Sequence, residues 1–96
     1  MPITIHIVNT PLTGVRDAYL DAWREIDARQ LRHPSGRRFH IAGTVDDVLH
    51  VVDIWDSPEQ QQAFMPDLGP ILDKFGMEIR EAPEVGEVLQ VVQSPA

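Results

Sequence analysis

The sequence predicts an α+β fold, a single antiparallel sheet carrying both helices on one face, in the order strand, helix, strand, strand, helix, strand. Three observations carry this expectation. Apolar residues alternate with period two along Ile3–Asn9, Arg38–Gly43 and Val48–Trp55. An apolar stripe of helical period runs through the stretches that begin at Val15 and Pro58. The connection between the second and third strands, residues 44–47, is short enough to make those two a hairpin.

The elements follow in order. Ile3-Thr4-Ile5-His6-Ile7-Val8-Asn9 is rich in β-branched residues and reads as the first strand. Thr10-Pro11-Leu12-Thr13-Gly14 breaks it, with Thr13 the expected N-cap of the first helix. That helix carries Val15, Ala18/Tyr19, Ala22/Trp23 and Ile26 on one side and Asp17, Asp21, Arg24, Glu25 and Asp27 on the other, ending near Gln30. A polar Pro/Gly loop, 32–37, leads into the hairpin. Ser57-Pro58-Glu59-Gln60 is a capping box with proline at the first helical position, and it opens the second helix. The stripe Ala63/Phe64, Leu68, Ile71/Leu72 and Phe75 follows, and Gly76 stops it. Pro66 and Pro70 lie inside, so a kink or a break into two segments is expected. Residues 77–81 read as a short extended piece, and Glu87–Val92 as the last strand. This is the ferredoxin-like split βαβ pattern, and the whole chain, 1–96, fits one domain.

Composition narrows the function. Fifteen Asp+Glu against eight Lys+Arg give a net charge of −7, the wrong sign for a binder of phosphate backbones or anionic membrane surfaces. The absence of cysteine removes disulfides, thiol catalysis and Cys-ligated metal centres. No signal-peptide pattern or membrane-crossing apolar run is visible, so a cytoplasmic location is expected. A chain of 96 residues makes a marginal core, which pairing with a second copy would enlarge.

Strand parity selects the site. Across the hairpin, Phe39 and Ile41 share a face with Val52 and Ile54, with His50 at its start, while His40 and Ala42 share the other with Leu49, Val51, Asp53 and Trp55. The first set is almost wholly apolar and is expected under the helices. The isoleucines of the first strand are expected there too, which sends Thr4, His6 and Val8 to the second set. An open face gathering His6, His40, Asp53 and Trp55 is the result. Two imidazoles and a carboxylate supply a general base and its orienting partner. The bland alternatives are a packed Trp55, an Asp53 held in a structural hydrogen bond or ion pair, and histidines satisfied by backbone. The spacing matches no metal-binding motif, and no metal or cofactor is expected. Arg37 and Arg38, at the strand entrance, have the chemistry to attract an anionic group, but a solvated loop pair is the expectation. No phosphate loop or nucleophile elbow is present.

Phe39-His40-Ile41-Ala42-Gly43, Val51-Val52-Asp53-Ile54-Trp55-Asp56-Ser57-Pro58-Glu59, Phe64 and Leu68-Gly69-Pro70 together resemble small dimeric α/β-barrel proteins related to antibiotic-biosynthesis monooxygenases. A strand ending in Trp-acid-Ser and running into a capped helix is the recurring feature. The resemblance implies a homodimer whose sheets meet as a barrel, and a small apolar or aromatic ligand. Relatives of that kind oxidise polycyclic aromatics without metal or cofactor, cyclise polyketides, isomerise lactones or degrade haem; many have no assigned activity. The haem branch does not fit: Phe64 stands where those proteins have tryptophan, and Ser57–Phe75 contains no histidine for the iron. The cofactor-free branch implies roles for Asn9, Trp55 and His40 or His6. The expected constellation is therefore His40, Asp53 and His6 for acid–base chemistry, with Trp55, Asn9, Phe64 and Val51 against the substrate. The contrasting expectation is a non-catalytic ligand carrier or structural barrel with a packed interior.

Overall fold

In the computed structural model, which describes residues 2–79 and 82–95, the elements are β1 (Ile3–Val8), α1 (Val15–Ala28), β2 (Arg37–Val45), β3 (Val48–Trp55), α2 (Pro58–Lys74) and β4 (Glu84–Glu87). The sheet is antiparallel with strand order β2-β3-β1-β4, as the ferredoxin-like pattern requires. Asp46 and Asp47, both at positive φ, make the two-residue turn between β2 and β3. That is the primed turn geometry whose twist matches a tight hairpin.

The helices start differently. Ser57 caps α2, accepting from the Gln60 N–H at 3.3 Å. At α1 the expected Thr13 cap is replaced by Gly14, which adopts a left-handed conformation (φ 74°) and offers no side chain. The expected break in α2 does not occur. Pro66 and Pro70 are exposed and one turn apart, so the carbonyls they leave unbonded lie on the wet side. The last strand is also displaced. β4 ends at Glu87, and residues 88–92 are not in a strand; it is Glu84–Glu87 that pairs with β1. Ahead of it, Ile79 forms an isolated bridge with Asn9, and Arg80 and Glu81 of the expected extended piece lie outside the described residues.

The core joins Val15, Ala22 and Ile26 of α1 and Ile71 of α2 to Leu49 and Val51 of β3. A second cluster joins Ile3, Ile5, Trp55 and Phe64. These contacts correct the expected faces. The parity across the hairpin is as read, with His40 opposite Asp53 and Ile41 opposite Val52. However, Ile3 pairs with Trp55 and Ile5 with Asp53, so the isoleucines share their face with His40, Val51, Asp53 and Trp55. That is the face under the helices. The more apolar set of Phe39, Ile41, Val52 and Ile54 lies on the open face with His6 and His50. Ile41 there is 54% exposed. Apolarity misled the assignment because the polar members of the covered face satisfy one another.

Candidate functional site

β2 and β3 bring His40 and Asp53 side by side, and α1 lays Tyr19 and Trp23 over them. Asp53 is 8% exposed in the middle of a strand, where an unpaired carboxylate would be costly. It is fully engaged. His40 Nδ1 is 2.6 Å from its Oδ1, and the Trp55 indole N–H donates to its Oδ2 at 3.2 Å. On the other side of the imidazole, Tyr19 Oη lies 2.8 Å from His40 Nε2.

The donor and acceptor roles follow from this chain. A carboxylate can only accept, so His40 Nδ1 carries a proton toward Asp53. In the neutral imidazole Nε2 then accepts, and the Tyr19 hydroxyl donates to it. Burial, the largest influence, pushes the Tyr19 phenol above its ordinary value; Trp23 opposes this, Asp53 adds to it and Arg37 opposes it. Tyr19 is therefore a neutral donor at physiological pH. Tyr19, His40, Asp53 and Trp55 are thus joined in one hydrogen-bonded chain with the geometry of a relay and an anchored carboxylate at its inner end.

The relay borders two connected spaces. A chamber of about 70 Å³ lies between sheet and helices, walled mainly by apolar side chains such as Ile26, Leu68 and Met77, with Asn9 among them. A wider groove of about 500 Å³ opens over Leu20, Phe39, Arg32, His33 and Arg38. Tyr19, Trp23, Arg37 and His40 border both, so they form the threshold between groove and chamber.

The expected residues divide accordingly. His40, Asp53, Val51 and Asn9 come together at the chamber. Trp55 and Phe64 pack against each other in the second core cluster with ring centroids 5.9 Å apart and are not among the chamber-lining residues. His6 is on the opposite face of the sheet, its Nε2 3.4 Å from His50 Nδ1, and so takes no part in the His40–Asp53 arrangement. Among the described residues no group of three or more His, Cys, Asp or Glu is arranged to hold a metal ion. No helix among the described residues is long and apolar enough to cross a membrane.

Tyr19 and Trp23 were missed by the sequence reading, and Arg37, weighed as an anion-attracting residue, was set down as part of a solvated loop pair. The first two sit at i and i+4 on the buried stripe of α1, and each has a polar atom that needs a partner indoors, which was the available signal. Arg37 was hidden by a register shift between Arg37 and Phe39. Without that bulge Arg37 would share the open face with Phe39; with it, Arg37 pairs opposite Trp55 and turns under the helices.

No family model matches the sequence, and no curated protein matches it significantly. Solved structures do match. SnoaB from Streptomyces nogalater, a cofactor-independent oxygenase, superposes with TM-score 0.69 at 11% identity, over 97% of this chain and 98% of that one. A candidate antibiotic biosynthesis monooxygenase from Chloroflexus aurantiacus gives TM-score 0.64 at 17% identity, over 96% and 95% of the two chains. The fold is that of the antibiotic-biosynthesis-monooxygenase-like proteins. A second candidate monooxygenase of that kind, from Deinococcus radiodurans, matches with TM-score 0.65 at 10% identity over the full length of both chains. Identities this low speak to the fold of the monooxygenase-like proteins and leave the chemistry to the site.

Proposed function

We propose that this protein is a homodimeric small-molecule enzyme that abstracts a proton from an aromatic or polyketide-like substrate held at the threshold of the chamber. The observation that carries the reading is the relay Tyr19–His40–Asp53, with O···N and N···O separations of 2.8 and 2.6 Å, bordering a mostly apolar chamber. As the substrate's proton moves to Tyr19 Oη, the hydroxyl proton moves to His40 Nε2, and Asp53 holds the imidazolium that results. The carbanion then gives one electron to dioxygen and the two radicals combine; the resulting peroxide anion takes back the proton held on His40 and loses water, leaving a carbonyl. Without oxygen, the pair closes on an internal electrophile, giving cyclisation, or the proton returns to another carbon, giving isomerisation. Cofactor-independent oxygenation is supported by the likeness to SnoaB. Dimer formation through the open sheet face is supported by the exposure of Phe39, Ile41 and Val52.

The test is deuterium exchange at the acidic C–H of anthrone, followed by NMR. The wild-type protein accelerates exchange, and Tyr19→Phe and His40→Asn each lose about 100-fold or more, the usual scale of general acid–base catalysis. His6→Asn retains the wild-type rate. Equal loss in His6→Asn, or none in His40→Asn, overturns the assignment. A non-catalytic structural barrel is the second reading, favoured by the chamber's 70 Å³ against the several hundred typical of ligand sites. Absence of both anthrone binding and exchange would support it.

A further inference from the structure

The chain is acidic overall, yet three of its eight Lys+Arg, Arg32, Arg37 and Arg38, line one groove together with His33. Two of these charges are already matched. Arg32 is bidentate to Asp27 at 2.8 and 2.9 Å, and Arg38 to Asp56 at 2.8 Å on both oxygens. Arg37 is different. Among the described residues no carboxylate lies within 4.0 Å of its guanidinium, whose one hydrogen bond goes to the Arg32 carbonyl. The bulge turns it inward to the threshold, where it lies 5.6 Å from the Trp23 ring and 5.9 Å from the Phe64 ring. A guanidinium keeps its charge at all physiological pH and has several N–H donors in a planar fork shaped for a carboxylate. Held between aromatic rings and half-buried, it feels the Asp53 charge from beyond ion-pair distance but makes no direct ion pair, so its fork is open to an anion brought in from outside.

We infer that the groove selects aromatic carboxylic acids, with Arg37 holding the carboxylate and Leu20, Trp23 and Phe39 walling the ring. This rests on the reading of the cleft as a substrate site and names the substrate class. The aromatic body is too large for the inner chamber, so it lies in the groove with its acidic C–H toward Tyr19. The matched charges of Arg32 and Arg38 leave a single anchoring point, which favours one carboxylate over a polyanion.

The test compares 2-naphthoate with its neutral isostere 2-naphthamide by calorimetry, on the full-length protein. Wild type binds naphthoate at least tenfold tighter than naphthamide. Arg37→Gln abolishes that preference while leaving naphthamide affinity within twofold, and Arg37→Lys retains part of it. His6→Asn, on the opposite face of the sheet, keeps the preference. Circular dichroism confirms that each variant is folded. Equal binding of the two probes by wild type, or a parallel loss of both in Arg37→Gln, overturns the inference while leaving the relay reading intact. Failure of folded wild type to bind either probe at millimolar concentration overturns the inference and the small-molecule reading together. Preserved preference with no proton exchange at anthrone refutes only the relay.

Discussion

The two faces of this sheet invert the usual expectation. The face under the helices contains a carboxylate, an imidazole, a phenol and an indole joined in one hydrogen-bonded chain. The open face presents Phe39, Ile41 and Val52 to solvent beside the stacked imidazoles of His6 and His50, whose centroids are 5.7 Å apart. Burial therefore follows whether polar groups find partners, and mean apolarity of a strand face is the weaker guide. A covered face can afford polar side chains when every one is matched. An exposed apolar sheet face calls for another surface to cover it.

The largest effect that separates the faces is expected at Asp53. Asp53→Ala strands the Trp55 indole N–H and His40 Nδ1 indoors, and should lower unfolding stability by about 3 kcal/mol in urea titrations. Val52→Ala, its neighbour on the open face, should cost less than about 1 kcal/mol in a monomeric reference state. Equal losses would mean that the polar chain adds nothing to the covered face. Next comes assembly. Ile41→Asp puts a charge in the middle of the exposed apolar patch, so native mass spectrometry should find a dimer for the wild type and a monomer for the variant. A dimer that survives the substitution would move the interface elsewhere.

Much of this comparison was legible in the sequence, and its failures have physical causes. Alternation and an even-length turn put His40 and Asp53 on one face, because parity across such a turn is fixed by geometry; the tighter turn at Asp46 and Asp47, in place of the expected 44–47, makes them direct partners. The choice of which hairpin face to cover rested on apolarity, whereas the register of β1 with Trp55 and Asp53 is what decides it. The isoleucines are covered and His6 is on the open face as expected; His40, Asp53 and Trp55 are the residues that were misplaced. Arg37 was illegible for another reason: a bulge shifts parity by one residue, and nothing in Arg37-Arg38-Phe39 signals it locally. Its cause lies at a distance. Gly36 sits at φ 91°, a conformation strained for any residue with a side chain, and its carbonyl accepts from the Asp56 N–H at 2.8 Å. The α2 prolines were read correctly as breakers of backbone bonds but misjudged in consequence, since their solvent-facing position leaves water to satisfy the carbonyls.

A smaller effect is expected at the outer end of the relay. Tyr19→Phe removes one neutral hydrogen bond and should cost about 1 kcal/mol at pH 7. The pH dependence is more telling. The folded-state phenol is raised above its ordinary value of 10.0, chiefly by burial, so its contribution is complete below that value and is lost as pH rises through the raised one. The wild type should therefore lose stability more steeply than Tyr19→Phe on the alkaline side of pH 10. Parallel alkaline limbs in urea midpoints would show that Tyr19 ionises as freely in the fold as in the open chain.

The smallest effect is expected at Asp56, on the exposed rim. Arg38 holds the Asp56 carboxylate below its ordinary value through a two-pronged hydrogen bond. A lowered carboxylate contributes above its unfolded value and loses that contribution as pH falls through the folded one, so Asp56→Asn should flatten only the acid limb below about pH 4. At pH 7 its unfolding midpoint should be indistinguishable from wild type, because exposed pairs contribute little. The same variant bears on the groove. If the ion pair held the bulge, releasing Arg38 would turn Arg37 outward and erase the preference for naphthoate. The backbone bond from the Asp56 N–H to the Gly36 carbonyl survives the substitution, so the preference should persist. Its loss would transfer control of Arg37 from the backbone to the rim charges, and would join the covered face to the exposed surface it otherwise contrasts with.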